Sequence, residues 1–214
     1  FGATPEEVDQ LTESVADLLD GQALSRDELV SELVQDKRFK GMEEQLRSGW
    51  GALLKPLAWQ GVLCYGPSRS SKVTFTNPAS FLKNWNGLPD PAEAAPAVIK
   101  RYLSAYGPAS PETFDAWLSR NSNKKSTLKS WFASLGEQIV EVRVKDETRY
   151  LLAEHEDELA ATRPSRATHL LGAFDQFVLG PGTKDTHMLA NKHRSRVSKA
   201  AGWIAPVLTQ GGRI

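Results

Sequence analysis

Apolar residues recur at three- and four-residue spacing in six stretches of this chain, and each stretch predicts one buried helical face. Val8, Leu11, Val15, Leu18 and Leu19 mark the first, opened by Thr4-Pro5-Glu6-Glu7 and stopped at Asp20-Gly21. A Thr cap, Pro at the first helical position and acids at the positive helix end are the expected start. Ser25-Arg26-Asp27-Glu28 is a capping box for a second helix burying Leu29, Leu33 and Val34. Trp50, Leu53, Leu54, Leu57 and Ala58 predict a third, which Pro56 should kink or split and Gly61 should end. The period then changes. Val62-Leu63-Cys64-Tyr65 and Val73-Thr74-Phe75-Thr76 are β-prone runs around a polar turn that carries Arg69 and Lys72 at its tip.

The order repeats after Leu82–Pro96, a segment rich in Pro, Gly and Asn that follows a short helical candidate at Ala79–Leu82. A helix over Ala94–Ala105, a second capped at Ser110-Pro111 with Phe114, Trp117 and Leu118, and a third over Lys124–Leu135 lead to a second hairpin. Its strands are Ile139–Val144 and Arg149–Leu152, with a turn at Lys145-Asp146-Glu147-Thr148. Helix, helix, helix, hairpin, twice in one chain, predicts tandem winged-helix units, each a helix-turn-helix plus β-hairpin. Glu154–Ala160 follows as a short acidic helix, and Arg163-Pro164-Ser165 marks a further boundary. HLLGAFDQFVLG and WIAPVLTQGGRI read as short strands with Gly breaks. The expected fold class is α+β, mainly α, with winged helices at residues 1–85 and 86–162 and a truncated β-barrel segment at 163–214.

The 214 residues and 40% hydrophobic content suffice for one large domain or two to three small ones, each with its own core. No run approaches a membrane span of ~18 apolar residues, and nothing resembles a signal peptide, so no membrane partner is expected. One cysteine, Cys64, excludes an internal disulfide and favours an intracellular, cytoplasmic setting. The chain opens at Phe1 without Met and closes on a turn signal, so it reads as a fragment. Net charge is zero, but its distribution is uneven. Residues 1–36 hold ten acids against Arg26, whereas 37–76 hold seven bases against Glu43 and Glu44, and 181–214 hold six bases against Asp185. Such segregation gives the molecule a basic side suited to a polyanion.

A winged helix presents its third helix to the major groove and its wing to the backbone or minor groove. Lys124, Lys125 and Lys129 flank the start of the second unit's third helix, where unpaired helix N–H groups also suit phosphate, and are the leading DNA contacts. Arg69 and Lys72 are the wing contacts of the first unit, whose third helix is rich in Trp and Leu and suits packing between units. His155, His169, His187 and His193 lack metal-ligand spacing, so neither metal nor cofactor is expected. Gly-x-Ser-x-Gly, phosphate-loop and dinucleotide fingerprints are missing from the sequence. Asp175 has two readings, a turn cap or a general base.

WGALLKPLAWQGVLCYGP, the tandem units, and HLLGAFDQFVLGPGTKDTH followed by AAGWIAPVL resemble the bacterial winged-helix DNA-binding proteins that include the AlkZ-like DNA glycosylases. The resemblance implies three winged helices in a curved scaffold, then a β-barrel, and removal of alkylated or crosslinked bases. It also implies a catalytic Gln-apolar-Gln or Gln-apolar-Asp motif in the first winged helix. That motif is missing here, which makes this chain the second and third winged helices plus the start of the barrel and places no catalytic residue in it. Pro181–Ala201, with His187, Arg194 and Arg196, stands where the family's basic barrel hairpin approaches the lesion. The implied partner is double-stranded DNA, bound by a monomer without a cofactor. The other reading is a non-enzymatic transcription regulator or protein-interaction scaffold, since fold alone does not fix function.

Overall fold

Thr4 and Ser25 both act as the sequence predicts. The Thr4 hydroxyl accepts from Glu7 N and the Glu7 carboxylate accepts from Thr4 N, opening α1 (Pro5–Leu18). Ser25 and Glu28 repeat the exchange at α2 (Arg26–Leu33). In a computed structural model, residues 2–49, 51–163 and 165–214 are described, and the chain divides into two units, Phe1–Pro89 and Asp90–Ile214. The fold is α+β, with helices and three small antiparallel sheets.

In the first unit the third helix is shorter than its apolar pattern. It is α4 (Leu54–Trp59), and a separate short helix, α3 (Glu43–Arg47), precedes it. Pro56 therefore sits in the first turn of α4, where a missing N–H leaves no bond unmade, and it neither kinks nor splits the helix. Gly61 follows with φ 74°, and a Cβ there would lie 3.0 Å from Leu88 Cγ and 3.1 Å from Trp85 Cζ2. Both its backbone and its lack of a side chain are required. Leu53, Leu54 and Leu57 are buried in their own unit, so the expectation that they face a neighbouring unit is corrected. Trp59 points outward, and Trp50 lies outside the described residues.

The hairpin strands are β2 (Cys64–Tyr65) and β3 (Thr74–Thr76). A further strand, β1 (Ala23–Ser25), pairs with the free edge of β3, placing β3 in the centre of a three-stranded sheet. The hydroxyls of Thr74 and Thr76 donate to Pro67 O and Gln22 O at 2.7 and 2.8 Å, which removes the cost of burying them. One cluster fills the space beneath: α1, α2, α3, α4, Phe39, Met42, Leu63 and Phe75 all contribute. Each fully buried Leu or Phe there contributes roughly 1.5–3 kcal/mol. A short helix, α5 (Pro78–Phe81), follows the sheet.

The second unit opens with α6 (Pro91–Tyr106), capped by Asp90 and carrying Pro96 in its interior. Ser110 caps α7 (Pro111–Ser119), and α8 (Lys125–Ala133) precedes β4 (Ile139–Val144) and β5 (Glu147–Leu152). The hairpin turn is only Lys145-Asp146, with Lys145 at φ 56°, so Glu147 and Thr148 belong to β5 and not to the turn. The pairings Val144↔Glu147 and Arg143↔Thr148 carry the ladder up to a two-residue turn. Ala109, just before the Ser110 cap, exchanges backbone bonds of 2.8 and 3.0 Å with Tyr150. The position matches that of β1 before the Ser25 cap. In both units, the segment entering the second helix is stitched to the last strand of the hairpin.

After α9 (Glu156–Ala161), β6 (Thr168–Leu171) pairs with β7 (Val207–Gln210) in a two-stranded ribbon. Among the described residues no closed barrel is formed. The expectation of strand through DQFVLG is corrected: Gln176–Leu179 is a helical turn, α10, because Asp175 Oδ1 accepts from Phe177 N at 2.9 Å and starts it. That contact settles Asp175 as a cap. The expected basic hairpin at Pro181–Ala201 is likewise turns, 3-10 segments and α11 (Arg194–Val197). Val178, Met188, Leu189, Val197, Ile204 and Val207 close a separate core for this part. No described helix is long and apolar enough to cross a membrane.

Candidate nucleic-acid interface

The start of α8 carries three exposed lysines, Lys124 at the N-cap position, Lys125 in the first turn and Lys129 one turn on, and its N-terminus has no side-chain cap. Leu128 and Phe132, on the flank of the helix next to these lysines, anchor it in the core of its unit. Lys125 and Lys129, one turn apart, border a surface cleft of about 540 Å³ whose other walls include Glu112, Phe132, Glu141 and Tyr150. The Tyr150 hydroxyl donates to Glu141 at 3.0 Å, and burial together with that carboxylate pushes the phenol up. Phosphate is therefore suited to the lysine rim, whereas the acidic floor repels it.

The two wing cations differ. Arg69 and Lys72 exchange backbone bonds of 3.0 Å across Ser70 at φ 57°, which closes the tip. Lys72 is exposed, but the Arg69 guanidinium folds back onto Glu28 and donates to Ala23 O at 3.1 Å. Hydrogen bonds from Ser25 and then from Arg69 hold the Glu28 carboxyl below its ordinary range. The structure thus spends the Arg69 charge inside its own unit.

The remaining three expected contacts also separate. Arg196 on α11 is exposed, while Arg194 is half-buried, with Nε lacking a hydrogen-bond partner among the described residues. His187 is drawn into a network that sequence reading missed. Its Nε2 lies 3.3 Å from Glu147 Oε2, and Arg149 donates to Glu147 at 2.9 Å and to Asp185 at 3.0 Å. Arg149 and Asp185 are 10% and 6% exposed at the side chain, and Arg149 also reaches Pro108 O at 3.4 Å. Burial opposes the Arg149 charge, but Asp185 and Glu147 outweigh it and hold the guanidinium above its ordinary value. Asp185 Oδ1 accepts in turn from His187 N at 2.8 Å. The period-2 pattern of β5 was the available signal, because Arg149 shares the inward face with Leu151 and needs a buried partner.

The same segment docks onto α6. Tyr102 donates to Gly180 O at 3.3 Å, and Tyr106 to Gln176 Oε1 at 3.2 Å. Burial pushes the Tyr102 phenol far up, so it remains a donor. A Cβ on Gly180 would come within 2.0 Å of the Tyr106 ring. The FDQFVLGPGTKDTH phrase is thereby explained as a docking strap, with Gln176, Gly180, Asp185 and His187 each fitted to α6 or β5. Among the described residues no group of three or more His, Cys, Asp or Glu side chains is placed to hold a metal ion.

Acid should loosen this strap. Hydrogen bonds from Arg149 and then from His187 hold the Glu147 carboxyl below its ordinary value. The ionised form is therefore the one the fold favours, so its contribution is complete above the unfolded value near 4.3 and is lost as pH falls through the lower folded value. Thermal unfolding at descending pH should show this loss, and Glu147→Gln should flatten that part of the profile. An unchanged profile in the variant would show that Glu147 does not carry it.

Comparison with known proteins places these features in context. The family model described as DNA glycosylase AlkZ-like matches residues 1–214. An interstrand DNA cross-link repair glycosylase from Streptomyces sahachiroi is 59% identical over 214 residues, which are 100% of this chain and 58% of that protein. The solved structure of Streptomyces sahachiroi DNA glycosylase AlkZ superimposes with a TM-score of 0.88 at 60% identity, covering 99% of this chain and 57% of the other. The chain therefore spans somewhat more than half the length of the relatives it matches. With its whole length accounted for by that model, the chain belongs to the AlkZ-like DNA glycosylase family.

Proposed function

We propose that this chain is the duplex-binding scaffold of a DNA glycosylase that excises alkylated or crosslinked bases. The observation that carries the proposal is the repeated layout, helix, edge segment, helix, helix, hairpin, in which Ala23–Ser25 pairs with β3 and Ala109 pairs with Tyr150. Two tandem winged helices, residues 1–85 and 86–162, account for that layout, and residues 163–214 with their own core begin a barrel-like domain. The lysine end of α8 then lies against phosphate, Lys72 and Arg196 add contacts, and the protein acts as a monomer on double-stranded DNA in the cytoplasm. Phosphate contacts fix position without reading sequence, as an enzyme acting on lesions in any sequence requires.

A glycosylase must bring a stacked base out of the duplex before it can attack the N-glycosidic bond. Water then adds at the anomeric carbon with help from a general base, and positive charge on the sugar is stabilised. In this reading the present residues grip the backbone while the Gln-apolar-Gln chemistry comes from a part of the enzyme outside these 214 residues.

Replacing Lys124, Lys125 and Lys129 together with alanine should weaken duplex binding and flatten its salt dependence. Each lost phosphate contact removes about 0.9 from the slope of log K against log salt, so three remove about 2.7. Fluorescence anisotropy on a short duplex across a salt series measures the slope. An unchanged slope removes α8 from the interface, and release of alkylated bases by the full-length protein tests the enzymatic half of the reading.

A further inference from the structure

Phe174 has φ 59°, a left-handed backbone that bulky residues rarely adopt. The residue that follows explains how it is held there: Asp175 is committed to capping α10. The consequence is that the Phe174 ring is outside the adjacent core, 42% exposed, and packs edge-to-face on Trp203 with centroids 4.9 Å apart at 78°. Trp203 is itself 53% exposed. Neither ring belongs to the buried cluster of Val178, Leu189 and Ile204, although Val178 and Ile204 lie within a few residues of them in the chain.

The loop that carries Trp203 is firmly built. Ser198 pairs with Ile204, Lys199 N donates to Trp203 O at 2.8 Å, and Ala205 N donates to Val197 O at 2.9 Å. Its stem is α11, with Arg194 and Arg196, and Lys199 sits in the loop. From Thr186 to Ile214 the sequence holds Lys192, Arg194, Arg196, Lys199 and Arg213 and no Asp or Glu. An exposed aromatic pair, a strained backbone and the cations of that acid-free stretch, with the neighbouring Asp175 turned to its cap on Phe177 N, are the components of a nucleobase-stacking step beside a phosphate track. A protein-covering patch would not need the one-sided charge.

We propose that Phe174 and Trp203 form a stacking step for an unpaired nucleobase of DNA, with Arg194, Arg196 and Lys199 holding the adjoining phosphates. This rests on the DNA-binding reading above and adds what that reading lacks, a surface for the base once it has left the stack. Aromatic faces accept any base, so the step suits a lesion or its displaced partner and carries no sequence preference.

The test compares two duplexes of equal length, one fully paired and one with a central unpaired adenine replaced by 2-aminopurine, bound by the full-length protein. Trp203→Ala and Phe174→Ala should each weaken binding of the unpaired duplex about tenfold, as the loss of one base stack implies. Binding of the paired duplex and both salt slopes should stay within twofold, and Trp203→Phe should retain most of the affinity. Quenching of 2-aminopurine by the parent protein should be lost in Trp203→Ala. Phe174→Gly removes the ring without strain, so a matching loss there excludes misfolding as the cause. Equal losses on both duplexes, or losses on neither, overturn the stacking step while leaving duplex binding intact. A change in oligomeric state with unaltered DNA binding would also overturn it, by showing that protein covers the rings. Failure to bind either duplex at low salt overturns the scaffold reading and the stacking step together.

Discussion

Arg149→Ala should lower the stability of the Asp90–Ile214 unit by about 3–5 kcal/mol, the cost of breaking a buried ion pair by removing one partner. The change strips Asp185, 6% exposed, of its only salt-bridge partner among the described residues and leaves Glu147 with His187 alone. Asp185 keeps the backbone bond from His187, which does not replace a cation. A loss of that size exceeds 10 °C in thermal midpoint for a unit of this length, where about 1 kcal/mol shifts the transition by several degrees. Circular dichroism melts, or hydrogen exchange at Val178 and Leu189, would follow it.

The pairing itself should matter less than its completeness. Exchanging both partners in Arg149→Met with Asp185→Leu should recover most of the loss, because apolar groups of similar volume often match a buried pair in stability. If the double variant is as unstable as the single one, the network does more than satisfy buried charge. If Arg149→Ala costs under about 1 kcal/mol, the strap is not held by this pair, since that is the range of exposed ion pairs. A strap held this way accounts for the FDQFVLGPGTKDTH phrase as docking chemistry: Gly180 for clearance, Tyr102 and Tyr106 as donors, and Asp185 as counter-ion.

Local chemistry was legible and distant pairing was not. Thr4, Ser25 and Ser110 could be read as caps because a cap is decided within four residues, and all three accept from the expected backbone N–H. The hairpin at 139–152 was legible because strict alternation sets its faces. The strand Ala23–Ser25 was not, since three residues are too few to show a period and its existence depends on β3 fifty residues away. Gln176-Phe177-Val178-Leu179 looks like strand by composition, yet one capping carboxylate outweighs that preference. The same limit applied to function. Lysines around α8 were visible as a charge pattern, but Arg69 turning back to Glu28 and Arg149 meeting Asp185 across 36 residues are tertiary facts. The strained Phe174 had no signature at all, because nothing in its own type favours φ 59°.

Phe114→Ala should be as damaging as loss of Arg149, by a different route. The ring is fully buried and sits at the centre of an aromatic cluster, 5.4 Å from Tyr102, 5.8 Å from Phe132 and 6.2 Å from Trp117, with the first two contacts edge-to-face. Removing it costs about 3–5 kcal/mol in lost transfer energy and cavity formation, against the 5–15 kcal/mol that typically holds a domain together. Phe114→Leu keeps much of the volume and should cost under about 2 kcal/mol. Trp117→Ala, at a partly exposed ring, should fall between. The loss should be confined to one unit, because the core from Leu11 to Phe75 shares no residue with the cluster around Phe114. Hydrogen exchange should therefore stay slow at Leu11 and Val15 while protection falls at Ile99, Leu103 and Leu128. Equal loss of protection in both regions would show that the two cores unfold as one. The same cluster seats α8 through Leu128 and Phe132, so duplex affinity should fall with the folded fraction while the salt slope of the surviving molecules stays that of the parent. That pairing of lower affinity with an unaltered slope separates a damaged foundation from a lost phosphate contact.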